Sequence, residues 1–149
     1  MSHAPYIVFP LLFAVAAAAS LALVSVLGGW HSLAQRYRAV RPAGGKRFAV
    51  QSMGVGSGRL PMGYNNCLTV HVSSEGLHLA VLPILPIMHP PLFIPWADVA
   101  AVSTYKAFVW TCYRVTLRRS TVCLTFYRDL GACILRTWQE REQAHAGRA

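Results

Sequence analysis

Charged residues are scarce in this sequence: Asp, Glu, Lys and Arg make up 13% of its 149 residues, about half the share of a soluble globular domain. Acidic residues are rarest, with five Asp and Glu against 14 Lys and Arg, so the formal net charge is +9. The hydrophobic fraction is 54%. This composition excludes a disordered chain and favours contact with a membrane, and the length suits one ordinary domain.

The residue patterns of common catalytic sites are also missing. The acidic residues form no carboxylate pair, no Ser/His/Asp spacing occurs, and the glycine-rich run at 54–58 is followed by no lysine that could hold a phosphate. We therefore expect a protein that is not an enzyme and has no cofactor. The basic residues are scattered and not interleaved with aromatic ones, which argues against nucleic acid as a partner.

The N-terminal segment contains no charged residue from Tyr6 to Leu27. A helix over this segment rises about 33 Å, which matches the hydrocarbon core of a bilayer. A cleaved signal peptide is the alternative, because residues 17–20 resemble a cleavage site, but no Lys or Arg precedes Arg36. We therefore predict a single-pass transmembrane anchor at residues 1–29, with the lipid bilayer as its first partner.

Residues 30–46 form a basic, amphipathic juxtamembrane segment. Basic residues follow the span and none precedes it, which predicts an N-terminus outside and a cytoplasmic C-terminal part. The predicted membrane-interface residues are Trp30, Arg36, Arg38, Arg41, Lys46 and Arg47. The basic ones either set the topology alone or also contact anionic lipid. Within the span, Ala14, Ala18 and Ala22 have a spacing at which two helices can pack, so a homodimer remains open.

After residue 46 the chain contains short runs rich in β-branched and aromatic residues, which predict strands. These runs are Arg47–Met53, Cys67–Ser73, Leu77–Leu82, Val99–Ala107, Cys112–Arg118 and Val122–Arg128. Apolar alternation sets the register of two antiparallel hairpins: Val70 faces Leu79 in the first, and Val115 faces Leu124 in the second. Antiparallel strands with one apolar face indicate a sandwich or a barrel.

The uncharged segment from Leu79 to Trp96 contains five prolines, too many for a helix exposed to lipid. We predict a strand end, a proline-stiffened loop and a short strand at 94–96, so the chain has one membrane span and not two. Helical periodicity returns from Asp129 to Gln143, which predicts an amphipathic helix docked on the sheet. Its predicted apolar stripe consists of Leu130, Cys133, Ile134 and Trp138.

In the first hairpin register His71 lies opposite His78, with Cys67 on the same face. Two imidazoles and a thiol suggest a metal site, but Cys67 lies about 13 Å from His71 along the strand, too far to share one ion. We expect a solvated or partner-facing histidine pair. The four cysteines are predicted to be free thiols, as in a reducing cytoplasm; they are Cys67, Cys112, Cys123 and Cys133.

The motif Gly76-Leu77-x-Leu79, followed by Ile94-Pro95-Trp96-x-Asp98-Val99, resembles the pleckstrin-homology (PH)-like modules of bacteria and the related GRAM domains. The run from 89 to 96 is similar to one in small bacterial membrane proteins with one N-terminal span. The resemblance implies a partly open barrel of about seven antiparallel strands with a C-terminal capping helix, at the bacterial inner membrane. The predicted organisation is an anchor at 1–29, a juxtamembrane segment at 30–46, a PH-like domain at 47–143 and a flexible tail at 144–149.

These features predict a membrane-anchored binding or scaffolding module that engages a protein partner in a membrane complex. Its predicted binding surface is the apolar proline loop together with the β-hairpin turn near residue 108. An exposed apolar patch of this kind usually marks the contact with a partner. The residues are Ile84, Leu85, Ile87, Met88, His89, Phe108 and Trp110. Direct engagement of anionic lipid is the alternative, and a metal-dependent activity comes third. The sequence leaves open whether the loop closes the barrel and Trp110 lies in the core.

Overall fold

The computed structural model describes residues 4–40, 44–57, 61–82 and 89–148. Two helices come first, α1 (Ala4–Leu27) and α2 (Trp30–Tyr37). The strands are β1 (Lys46–Gly56), β2 (Met62–Val72), β3 (Gly76–Val81), β4 (Leu92–Pro95), β5 (Val99–Ala107), β6 (Trp110–Leu117) and β7 (Cys123–Tyr127). A 3₁₀ turn at Trp96–Asp98 joins β4 to β5, and α3 (Arg128–Ala146) ends the fold.

The strands form one antiparallel sheet in the order β4-β3-β2-β1-β7-β6-β5, curled into a half-barrel around the core. The first four strands join the last three where β1 pairs with β7. Helix α3 packs against β5, β6 and β7. The predicted fold, an apolar N-terminal helix followed by seven antiparallel strands and a C-terminal helix, is therefore confirmed.

Both predicted hairpin registers are confirmed. Val70 pairs with Leu79 in the first hairpin and Val115 with Leu124 in the second, and all four side chains are fully buried. A slip of one residue would turn these side chains away from the core, which is why the apolar pattern alone specifies the register.

Helix α1 contains one candidate membrane span, Ile7–Leu27, with a mean hydropathy of 2.6 over its most apolar window, none of which is buried. The span is long and apolar enough to cross a bilayer, although a signal sequence near the N-terminus meets the same criteria. At its C-terminal end Ser25 is buried, and Gly28 lies against Met62 at the start of β2. The domain therefore begins directly at the end of the apolar helix.

Helix α2 is the amphipathic segment that the sequence predicts next to the membrane. Its apolar stripe has the predicted helical spacing, but Trp30, Leu33 and Tyr37 are buried in the domain core. Periodicity identifies the apolar face of a helix without identifying what covers it. Here the sheet covers it, so this part of the juxtamembrane segment belongs to the fold.

Helix α2 also closes the gap between the edge strand β4 and the β6–β7 loop. On the β4 side, Arg38 forms a bridge with Leu92, and the Ala39 N–H donates to the Pro91 carbonyl at 2.8 Å. On the other side, the Arg36 guanidinium donates to a carbonyl of the β6–β7 loop. Both rims of the half-barrel are therefore tied to α2.

Helix α3 docks through the predicted stripe, with Leu130 and Ile134 buried and Cys133 and Trp138 partly buried. It runs to Ala146, three residues beyond the predicted end. Gly131 is the point of closest approach, because a Cβ atom there would lie 2.1 Å from the Tyr113 ring. A glycine is therefore required at this helix–sheet contact.

Replacing Gly131 by alanine is expected to lower the free energy of unfolding by about 2 kcal/mol, because the new methyl group overpacks the contact at the upper end of the usual cost of about 1–3 kcal/mol. The gain in helix propensity, about 1 kcal/mol, does not offset the overpacking. Denaturant titration of the detergent-solubilised chain measures the change. The matched control is Gly147→Ala, which meets only an ordinary contact at 3.5 Å; equal stability of the two variants would contradict the packing account.

Candidate binding surface at the β5–β6 hairpin

The structure describes three of the seven residues of the predicted binding surface, His89, Phe108 and Trp110. Ile84, Leu85, Ile87 and Met88 lie outside the described residues, as does Arg41 of the predicted membrane interface. His89 is only 5% exposed, and its Nε2 lies 3.1 Å from the Tyr64 hydroxyl. Burial raises the pKa of Tyr64 to about 12. The prediction of His89 as a surface contact is therefore wrong, since its ring is packed inside the domain.

Trp30 was expected at the lipid interface, yet its side chain is fully buried. Its indole Nε1 donates to the Pro90 carbonyl at 3.2 Å, and its ring centroid lies 5.3 Å from that of Tyr64. A core accepts an indole as readily as an interface does when the N–H finds a partner. The prediction for the Trp30 side chain is wrong for this reason.

The predicted basic interface residues that the structure describes lie at different distances from the end of α1. Arg36 and Arg38 are exposed and line a groove of about 780 Å³ whose other wall includes His78 and Phe93. Lys46 and Arg47 begin β1 and pair with the last residues of β2, whose first residue, Met62, lies against Gly28 after α1. Eleven residues of strand span about 30 Å. Lys46 and Arg47 are therefore distant from the end of α1, whereas Gly45, directly before Lys46, lines the same groove as Arg36.

The other predicted half of the surface is exposed. Phe108, Val109 and Trp110, here called the hairpin tip, are 101%, 87% and 55% exposed. Ala107 pairs with Trp110, so the loop between the strands has only two residues, Phe108 and Val109. The question that the sequence left open is thereby answered for Trp110, which does not lie in the core.

The backbone at the hairpin tip is strained. Phe108 has φ of +56°, in the left-handed region that favours glycine. A Cβ-bearing residue there costs roughly 1–2 kcal/mol. Arg128 also has a positive φ, +52°, and its guanidinium lies 5.1 Å from the centre of the Trp110 ring. Strained residues of this kind cluster at functional sites.

The hairpin that carries the tip is regular and positively charged. β5 and β6 pair over their whole lengths, with one irregularity next to Val99. From Val99 to Leu117 the sequence contains Lys106 and Arg114 and no acidic residue. Arg114 lies over the Tyr105 ring at 4.8 Å. The tip is thus carried by a regularly paired hairpin with a net positive charge.

The hairpin tip lies far from the end of α1. Gly29, which follows α1, faces Val122 of the β6–β7 loop. β6 runs from Trp110 at the tip to Leu117 beside that loop, and eight residues of strand span about 25 Å. The tip therefore has room to contact another molecule without displacing the helix.

His71 and His78 lie opposite each other on β2 and β3, as the predicted register requires, but they are less exposed to solvent than predicted. The rings of His71 and His78 lie 6.0 Å apart, centre to centre. The Nδ1 atoms of both and the Nε2 of His78 are buried without hydrogen-bond partners. Burial is the main cause that lowers the pKa of His71, and the positive charges of His78 and Arg47 lower it further. Among the described residues no three metal-ligating side chains come together.

The lowered pKa of His71 predicts a loss of stability in acid. The unfolded chain takes up this proton near the ordinary histidine pKa of about 6.5, whereas the folded chain does so only at lower pH. The free energy of unfolding therefore falls as the pH drops below about 6.5, and this contribution is constant at higher pH. Denaturation midpoints between pH 5 and 8 measure the slope. His71→Gln should flatten it, and an unchanged slope would refute the assignment.

The chain is similar in structure to a PH domain, at low sequence identity. No protein-family model matches the sequence, and no curated protein does. Among solved structures, the Vps36 N-terminal PH domain is similar with a TM-score of 0.46 and 16% identity, over 66% of this chain and 82% of that one. The sheet of seven antiparallel strands and the C-terminal helix described above are the elements that the resemblance in the sequence implies.

Proposed function

We propose that this chain is a membrane-anchored, non-catalytic binding module that holds a protein partner in a membrane complex through the hairpin tip. One observation carries the proposal: Phe108 is both fully exposed and strained. Each property opposes folding or solubility, and a glycine would remove both. An exposed apolar side chain and an unfavourable φ both depart from the usual preferences of a folded chain, and such departures are expected at functional sites.

The chemistry of the tip favours a protein. Trp110 is an exposed aromatic side chain held by Arg128, and aromatic residues and arginine dominate the energetic centres of protein interfaces. Lipid engagement is the second candidate function, favoured by Lys106 and Arg128 beside the apolar tip, because such cations also attract anionic headgroups.

The anchor completes the proposal. α1 would span the inner membrane of a bacterium with its N-terminus outside, since the basic residues follow the span. The PH-like domain would then lie at the cytoplasmic surface, where its four free cysteines stay reduced. Holding the domain at the membrane raises its effective concentration for partners in the same membrane.

In-cell photo-crosslinking tests this function. Val109 is replaced by p-benzoylphenylalanine in the full chain, and the same substitution at Gln139, exposed on α3, is the control. We expect discrete protein adducts from position 109 and not from position 139. Adducts with lipid alone would favour the second function, an adduct of two copies would assign the tip to a homodimer, and no adduct would contradict both functions.

A further inference from the structure

The two edges of the sheet differ in their protection. The β4 edge is short, follows Pro91 and ends at Pro95, and Arg38 and Ala39 lie along its outer side. Prolines, short length and a covering segment are the usual means of blocking an edge strand. This edge is therefore closed to a further strand.

The β5 edge has no strand on its outer side among the described residues. β5 has nine residues, no proline and one charge, and among the described strands it pairs only with β6. Five of its residues are exposed: Ala100, Ala101, Ser103, Thr104 and Lys106. In a two-residue hairpin the closing pair exchanges both hydrogen bonds, and the pairs then alternate. Val102, Thr104 and Lys106 therefore direct their N–H and C=O groups away from β6.

We propose that β5 takes up an extended acidic segment of the protein partner as an eighth strand. This inference rests on the proposed function and names the partner's chemistry. The outward backbone groups supply the hydrogen bonds, and the hairpin, with two cations and no acidic residue, supplies the charge complementarity. The hairpin tip lies at the end of the same strand, so the strand site and the apolar contact are continuous.

The alternative occupants fit this edge less well. A second copy would bring a chain with a net charge of +9 against an identical one. A bilayer core offers no groups to pair with the exposed backbone donors and acceptors. An acidic strand satisfies both the charge and the hydrogen-bonding groups.

Selection from a library of randomised ten-residue peptides tests the inference, with the full chain in lipid nanodiscs as the target. We expect enriched peptides that alternate with a period of two, carry Asp or Glu and lack proline. Their binding should weaken as salt rises. Enrichment of basic peptides, of peptides with helical periodicity, or of none would overturn the inference.

A pair of variants at one position locates the site. Thr104→Pro removes one outward donor and leaves the β5–β6 hydrogen bonds in place. It should weaken binding of the selected peptides about three- to tenfold, the effect of losing one hydrogen bond. Thr104→Val keeps the donor and should bind like the native chain. If Thr104→Pro does not fold, peptides N-methylated on alternate residues replace it, with the same expected loss. Unchanged binding in either experiment would overturn the inference.

The two proposals fail in different ways. If Val109 crosslinks a protein but Thr104→Pro leaves peptide binding and crosslinking unchanged, the tip binds the partner and the strand inference is wrong. If position 109 yields no protein adduct, the proposed function itself fails.

Discussion

Replacing Phe108 by glycine is expected to abolish binding of the protein partner and, in the same variant, to stabilise the domain by about 1 kcal/mol. The binding loss follows from removing the most exposed apolar side chain of the tip. The gain in stability follows because glycine adopts a positive φ without the steric cost that Phe108 bears. A mutation that harms function while raising stability is the expected signature of a strained binding residue.

Thermal unfolding of the detergent-solubilised chain measures the first effect, with an expected rise in Tm of about 3–5 °C. Phe108→Ala is the matched control, because it removes the ring but keeps a Cβ at the same φ. It should lose binding without gaining stability. A Phe108→Gly variant less stable than the native chain would show that the turn is not strained.

Replacing Trp30 by alanine is expected to lower the free energy of unfolding by about 3–5 kcal/mol, the usual effect of deleting a buried tryptophan. The indole fills the space beside Tyr64 and His89, and its loss also leaves the Pro90 carbonyl without its donor. A tryptophan at a lipid interface would contribute much less to the stability of the domain.

Denaturant titration of the full chain in detergent micelles measures this effect. Gln35→Ala, on the exposed side of the same helix, is the control and should change stability by less than about 0.5 kcal/mol. A loss of under about 1 kcal/mol for Trp30→Ala would place α2 outside the cooperative unit and restore the membrane-interface interpretation.

Sequence patterns predicted the elements whose apolar periodicity faces a core. Alternation over Val70 and Leu79 specified strand register, and the stripe through Leu130 and Ile134 specified the docking face of α3. The same reasoning found helical spacing in α2 but placed Trp30 at the lipid interface, because periodicity contains no information about which surface covers a helix.

The site was predictable only in part. The sequence identified Phe108 and Trp110 as apolar residues at a turn. It wrongly placed His89 on the surface, because the contact that buries it, with Tyr64, joins distant parts of the chain. One further signal was present: the two-residue loop Phe108-Val109 contains none of the residues that usually form such turns. The positive φ of Phe108 follows from that mismatch and requires coordinates to be seen.

The most direct measurement is photo-crosslinking from position 109 in intact cells, carried out in the native chain and in the Phe108→Gly variant at equal expression. The account predicts discrete protein adducts in the native chain and their loss in the variant. Equal yields of the same adducts in both chains would contradict the claim that the strained, exposed ring of Phe108 holds the partner.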